Sequence, residues 1–400
     1  MHGLWQRIRK GSGRKTRFYS VLDLGSEWVK ALVVQMEEEG KGLVVGAGMA
    51  RYEAEGVHFL ADVEALSERC DEALCRAEDM TEEVLGRMIV PDEVLIGLAG
   101  HWIWTTNGLV RRRRRRPERE IDAGELTALV ERAKRLALNQ AEEHAAASRN
   151  DLCPVDEDVV EFRLDGEGVT DPQGLRGEVL AVTTFHAFLP QNSLEKINEL
   201  LAVLELEPMG LVATSHALAA WLGEEGLILD VGALDTELIR ARNGGIIASR
   251  NIPRGGKHLV EGLRDHFGLS VEEGEELQRQ YWQGKLEEAL REKVAEALAN
   301  PVQDWLQAVL NGLEGMMLDE GYLPHRFFLC GGGAQWPELS WALRQYPLMK
   351  RFPFRRYPQI EVGRLPADPY LQDRTGTLTG GQWLVPLSLS HYAVCEVVYA

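Results

Sequence analysis

The sequence has no run of about 18 or more apolar residues, so nothing in it reads as a membrane-crossing helix. Its opening, MHGLWQRIRK, has no long apolar stretch of the secretory kind, and a cytoplasmic protein is expected. Cysteine is sparse: Cys70, Cys75, Cys153, Cys330 and Cys395 form no CxxC pair and have no histidine at zinc-ligand spacing. A zinc module is thereby excluded, and a reduced compartment is the simplest expectation. No GxGxxG turn follows the first strand, which argues against a dinucleotide-dependent oxidoreductase. Basic residues are in the minority, 44 Lys and Arg against 62 Asp and Glu, for a net charge of −18. The average surface therefore repels nucleic acid and anionic lipid, and either partner must be met by a local basic patch.

What is there suits a soluble globular protein: 45% hydrophobic and 26% charged positions over 400 residues, enough for two or more cores. Two β-rich runs, within Phe18 to Met36, are joined at Gly25-Ser26 as in a tight hairpin. Residues 62 to 88 have helical apolar periodicity through Ala65, Leu66, Cys70, Ala73 and Leu74. Glu93 to Leu98 and Trp102 to Val110 are expected to form a strand pair. A helix begins near Asp122, whose spacing to Glu125 is that of a capping box. Strands are expected at Val159 to Leu164 and Gly177 to Leu189, and a helix at Ser193 to Leu204.

A second set opens at Gly226. Strands are expected at Leu227 to Val231, Thr236 to Arg242 and Ile246 to Ile252, then helices at about 257 to 267, 271 to 282 and 285 to 319, the last broken by Pro301. Strand Arg326 to Cys330, Gly331-Gly332-Gly333 and helix Glu338 to Gln345 follow, and the chain finishes in a β-rich end, Ser390 to Ala400. Leu22-Asp23-Leu24-Gly25 and Leu229-Asp230-Val231-Gly232 each put an aspartate at the end of an apolar strand before a glycine turn and a returning strand. That echo, near half the chain apart, argues for an α/β fold with mixed sheets made by duplication.

A nucleoside triphosphate held between two such halves needs close backbone N–H groups, hydroxyls, a cation and carboxylates for hydrated magnesium. Gly25 admits close approach, Ser26 offers a hydroxyl and Lys30 a positive charge; Asp230, Gly232 and Thr236 have comparable roles in the second hairpin. Asp23 and Asp230 are expected to hold Mg through water. A lone Asp-x-Gly turn is ordinarily only a turn, and Lys30 alone would be a solvated strand residue; their conjunction is what points to a ligand.

Asp23-Leu24-Gly25-Ser26 with Lys30 resembles the first phosphate motif of the actin, heat-shock chaperone and FtsA superfamily, and Asp230-Val231-Gly232 with Thr236 resembles the second. Arg250 to Gly256 is similar to the stretch after the second motif in FtsA and PilM, which implies that Gly255 and Gly256 lie near the terminal phosphates. Leu329-Cys330-Gly331-Gly332-Gly333-Ala334 resembles the adenosine motif, and Val271 to Gln278 the helix that reaches ribose and adenine, with Glu275 matching the ribose-binding glutamate. Gln278 stands where bacterial actins commonly have lysine. FtsA typically has further glycines and a threonine where this chain has Ala233, Leu234 and Asp235. The implied fold is the actin-like, ribonuclease H-like, duplicated two-domain ATPase fold with a small α+β subdomain inserted in the first domain. Its implied boundaries are a basic tail 1–16, first domain 17–88 and 183–222, inserted FtsA-type subdomain 89–182, second domain 223–360 with a helical subdomain at about 255–320, and a C-terminal segment 361–400 returning to the first domain.

The resemblance implies an ATP- and Mg-binding scaffold in cell division, linking FtsZ-type filaments to the inner face of the membrane and self-associating into filaments, with weak or absent hydrolysis. No catalytic base can be named. The alternatives are a PilM-like assembly protein of a type IV pilus or secretion system and a small-molecule kinase of the same superfamily. Membrane contact is expected through residues 1–16, where Leu4, Trp5 and Ile8 alternate with basic side chains, or through Arg111 to Arg116. The bland readings are a disordered leader and a solvated loop. Nucleic acid is disfavoured, because no aromatic stacking platform accompanies the arginines. His101, His186, His216 and His266 have no metal-ligand spacing and read as core or surface residues.

Overall fold

The β-branched and apolar residues on both sides of Gly25 build a meander of three antiparallel strands, β1 (Arg17–Leu24), β2 (Trp28–Met36) and β3 (Gly42–Arg51). The computed structural model describes residues 17–37, 40–52, 62–100, 102–148, 150–317 and 321–397; the basic tail 1–16 and His101 lie outside the described residues. Helix α1 (Val63–Leu85) starts at Asp62, whose carboxylate accepts the Ala65 N–H at 3.0 Å, and stops at Gly86 in the left-handed region at φ 73°. It lays Leu66, Cys70, Ala73 and Ala77 on the sheet. Strand β4 (Glu93–Leu98) pairs parallel with β1.

The chain then leaves this sheet for β5 (Trp104–Arg113), α2 (Ala123–Ser148), β6 (Leu152–Leu164), β7 (Glu167–Val169) and β8 (Val179–Pro190), which form a separate four-stranded sheet ordered β5-β8-β6-β7. It returns through α3 (Gln191–Val203), β9 (Glu207–Ala213) and α4 (Thr214–Leu222). The expected pairing of Glu93–Leu98 with Trp102–Val110 is therefore wrong: β4 is a parallel strand of the first sheet, β5 an edge of the small one. The small sheet also begins later and ends later than residues 89 and 182. Strand β6 is longer than Val159–Leu164 because Asp156, Glu157 and Asp158 hide its alternation and register shifts interrupt it.

The second half repeats the first. Strands β10 (Gly226–Val231), β11 (Thr236–Arg242) and β12 (Gly245–Ile252) form the meander, then come α5 (Gly256–Phe267), α6 (Val271–Trp282) and α7 (Glu288–Glu314). They are followed by β13 (Arg326–Cys330), α8 (Pro337–Gln345), α9 (Leu348–Arg351) and β14 (Gln359–Val362). The sheet order β12-β11-β10-β13-β14 matches β3-β2-β1-β4-β9 strand for strand. Helix α7 runs through Pro301 unbroken; the proline ring packs where α5 has Gly262, at which a Cβ would meet Pro301 Cγ at 2.3 Å. Finally β15 (Leu371–Asp373) adds to β3, and α10 (Leu384–Tyr392) packs on α4. The expected β-rich end is thus helical as far as a π-type turn, Ala393–Val397, since Leu384, Val385, Leu389 and Val394 bury themselves in the first core.

The first core also takes in Ile228, Ile239, Ile246 and Phe328 of the second half and Phe185 and Leu189 of the small sheet; a second core lies within the second half, and a third between the small sheet and α2. The small sheet touches both halves. From β6, Asp156 accepts the Ala213 N–H at 3.0 Å and bonds His216 of α4 at 2.9 Å. Toward β12, the Thr105 and Ser249 hydroxyls share a hydrogen bond of 2.8 Å, and the Asn107 amide donates to the Ile246 carbonyl at 2.7 Å.

Candidate functional site

The turn after β1 and the turn after β10 face one another across a cavity of about 530 Å³. A Cβ placed on Gly232 would stand 3.9 Å from the Ser26 hydroxyl of the opposite half. In the first turn the Gly25 N–H bonds the Trp28 carbonyl at 3.1 Å, and a Cβ on Gly25 would stand 2.8 Å from that same oxygen, so only glycine fits without a shift. Register pairs Asp23 with Lys30, and their side chains form a buried ion pair at 2.9 Å.

Across the cleft Asp230 is half-buried and lines the cavity. Burial first, then the charge of Asp23, pushes its pKa up to about 7, against the opposing pull of Lys30 and a hydrogen bond from the Cys330 thiol. Glu237, on β11, is pushed up to about 8 by burial and then by Asp230. It meets the first half directly, because a Cβ on Gly100 would stand 2.8 Å from Glu237 Oε2. The loop after β4 therefore closes the cavity floor against β11.

Gly331 has φ 83°, and a Cβ there would strike Asp230 Oδ1 at 2.4 Å. This left-handed glycine lets the chain turn from β13 into the 3₁₀ turn Gly332–Gln335 while staying against Asp230. Helix α5 is stapled onto the second turn: the Gly256 and Lys257 N–H groups donate to the carbonyls of Gly232 and Ala233, each at 2.9 Å.

Asp23, Gly25, Ser26, Lys30, Asp230, Gly232, Gly256, Glu275, Gln278 and Gly331 to Gly333 all line this one cavity. Two expected members do not. Thr236 is fully buried, its hydroxyl donating to the Arg254 carbonyl at 2.7 Å and accepting the Trp305 indole N–H at 3.0 Å. Its oxygen braces the second half instead of facing a ligand. Gly255 lies behind the turn, where a Cβ would strike the Ala233 carbonyl at 2.5 Å, so its lack of a side chain serves packing.

Sequence reasoning missed Arg51, Glu27, Lys257 and Glu237, which also line the cavity together with Asp235. Arg51 ends β3 opposite Trp28 in register, and that pairing places it at the first turn. It bonds Glu27 through Nε at 3.0 Å and reaches across the cleft to Glu275 on α6, with Nη1 to Oε2 at 2.7 Å. The hydrogen bond from Arg51 holds the Glu275 carboxyl below its usual range.

The first three arginines of the run end β5, and Arg114 to Arg116 follow it outside any strand or helix. Arg114 is buried and bidentate to Glu125 at 2.9 and 3.0 Å, with further bonds to the carbonyls of Arg119 and Gly177; Arg111, Arg112 and Arg115 are exposed. His186 and His216 are buried in the interior; His266, on α5, is exposed. Among the described residues no cluster of three or more His, Cys, Asp or Glu is arranged to hold a metal ion. None of their helices is long and apolar enough to cross a membrane.

No protein-family model matches the sequence. The chain is 24% identical over 351 residues to the cell division protein FtsA of Bacillus subtilis (strain 168), which covers 80% of this chain and 74% of that protein. In three dimensions it is similar to a chain of the PilM-PilN type IV pilus biogenesis complex, with a TM-score of 0.65 at 18% identity over 96% of this chain and 99% of that one. A looser likeness, TM-score 0.47 at 14% identity, covers 94% of this chain and 96% of MreB5 of Spiroplasma citri, solved with bound ADP. The architecture is the actin-like fold that the two aspartate-glycine hairpins led one to expect.

Proposed function

We propose that this chain, an actin-like protein of the FtsA and PilM type by fold, binds ATP with magnesium between its two halves and works as a nucleotide-dependent scaffold in cell division. The observation that carries this is the single cavity shared by Asp23, Lys30, Asp230 and the Gly331 to Gly333 turn. Magnesium ordinarily takes one or two protein carboxylates and completes its shell with water and phosphate oxygens, so two facing aspartates suit it although no cage of three ligands is present. The ion would neutralise phosphate charge beside Asp23 and Asp230. Lys30 and Lys257 add positive charge at the phosphate end, and Glu275 and Gln278 line the side toward the nucleoside. Weak or absent hydrolysis fits this lining, in which no residue is singled out as a base.

By likeness to FtsA, the partner is an FtsZ-type filament, met at the cytoplasmic face of the membrane, with self-association into filaments. Membrane contact runs through residues 1–16 or the exposed arginines of the 111 to 116 run. The test is ATP affinity with and without magnesium in the parent, Asp23→Ala and Lys30→Ala proteins. With magnesium present, affinity is expected to fall at least tenfold in both variants, and unchanged binding there would remove the site assignment. Pull-down against purified FtsZ checks the partner.

A second reading, a PilM-like assembly protein that binds a peptide of an inner-membrane pilus or secretion protein, is favoured by the likeness along nearly the whole of both chains. Capture of that peptide with no binding to FtsZ would select it.

A further inference from the structure

A second groove, of about 720 Å³, lies between α7 and α8, and no residue lines both it and the nucleotide cavity. Its floor is Leu298, Val302 and Leu306, all buried, and Trp341 stands over it with 63% of its surface exposed. A tryptophan left in water beside an apolar floor is the composition of a protein-binding surface. The single charged residue in the lining is Glu338. One of its oxygens accepts the Tyr281 hydroxyl, while Oε2 is buried and has no hydrogen-bond partner. A carboxylate oxygen in that state is unfavourable, and a cationic donor arriving in the groove would relieve it. The groove thus selects a segment that joins apolar side chains to arginine or lysine.

The chain carries such a segment. Residues 1–16 hold Leu4, Trp5 and Ile8 among Arg7, Arg9, Lys10, Arg14 and Lys15, with no acidic residue, in a protein whose net charge is −18. We infer that the groove between α7 and α8 is the docking site of this chain's own basic segment Met1–Thr16. Its apolar side chains lie on Val302 and Trp341, and one of its cations bonds Glu338 Oε2. Sixteen residues span at most about 55 Å when extended, so the segment serves its own groove or that of a neighbouring copy; in the second case the contact is heterologous and propagates.

Limited trypsinolysis of the full chain, followed by mass spectrometry at Arg7, Arg9, Lys10, Arg14 and Lys15, tests this. Cleavage there is expected to be about tenfold faster in Trp341→Ala and about threefold faster in Glu338→Gln than in the parent, and Trp5→Ser should match Trp341→Ala. Because Trp341 is largely exposed, its variant should keep the parental melting temperature. Adding excess synthetic peptide Met1–Thr16 should speed cleavage of the parent, and the same peptide with Leu4, Trp5 and Ile8 replaced by serine should not. Equal cleavage rates in all four proteins would overturn the assignment. So would protection that appears only with phosphatidylglycerol vesicles and equally in the parent and Trp341→Ala, which would give the segment to a lipid surface.

Discussion

Glu237 stands opposite Asp230 in the β10/β11 hairpin at the same register at which Lys30 stands opposite Asp23 in β1/β2. The duplicated frame therefore presents a cation on one side of the cleft and a carboxylate on the other. Lys30 neutralises Asp23 directly, whereas burial and the neighbouring Asp230 keep Glu237 protonated up to about pH 8. Near neutrality the cavity is less anionic than its composition suggests.

Magnesium-free ATP binding should consequently weaken from about pH 6 to about pH 9, as Asp230 and then Glu237 ionise beside the triphosphate, by about tenfold for each charge. Glu237→Gln should remove the upper part of that loss and Asp230→Asn the lower part. Calorimetric titration in EDTA at a series of pH values measures this, and a flat parental profile would contradict it. With magnesium present the sign at Asp230 reverses, since the ionised form attracts the metal.

Arg51 and Glu275 tie the first half to the second at the mouth of the same cavity. A latch must open both to admit and to release a ligand. Arg51→Ala should raise the association and dissociation rates of a fluorescent ATP analogue together, by about threefold, as suits an ion pair that is more than a quarter exposed on both sides. Stopped-flow measurement decides: a rise in dissociation alone would make Arg51 a ligand contact and not a latch.

Thr236→Val is expected to destabilise the protein by about 2 kcal/mol with little change in ATP affinity, because it strands the buried Trp305 indole N–H and removes the hydrogen bond to the Arg254 carbonyl. Urea unfolding paired with ATP titration checks both halves of the statement.

His216 offers a stability test remote from the cleft. Burial alone would lower its pKa, but the charge of Asp156 and hydrogen bonds to Asp156 and Asp158 overcome burial and push it up to about 10. A raised folded pKa means that the contribution is fully present below about pH 6.5 and is lost as pH climbs toward 10. His216→Asn should cost about 3 kcal/mol at pH 6.5 and progressively less in alkali, read from urea midpoints.

The duplicated frame was legible because each half repeats an apolar strand, an aspartate, a glycine turn and a returning strand, and those local signals survive without knowledge of tertiary contacts. The same hairpins singled out Asp23, Lys30 and Asp230, which line one cavity. Thr236 misled because its position beside the turn says nothing about which way its hydroxyl points, and Trp305, 69 positions along the chain, decides that. Arg51 and Glu275 are 224 positions apart, and a pairing of that span has no local signature. The small sheet blurred for a related reason: β6 spends its polar residues on His216 and the Ala213 amide, so its alternation looks like a loop.

The small sheet is threaded into the first half of the chain yet has a hand on each half. Its grip on α4 is a buried charge pair, while its grip on the second half joins two neutral hydrogen bonds to β12 with the Glu161–Arg242 ion pair to β11 at 3.3 Å. Prising the jaws apart should therefore strain the seam at Thr105, Asn107 and Glu161, while Asp156, bonded within the first half, keeps its hold. A visitor that clasps β5 and β12 at once would act as a splint, keeping the jaws closed on their cargo from outside, without ever reaching it.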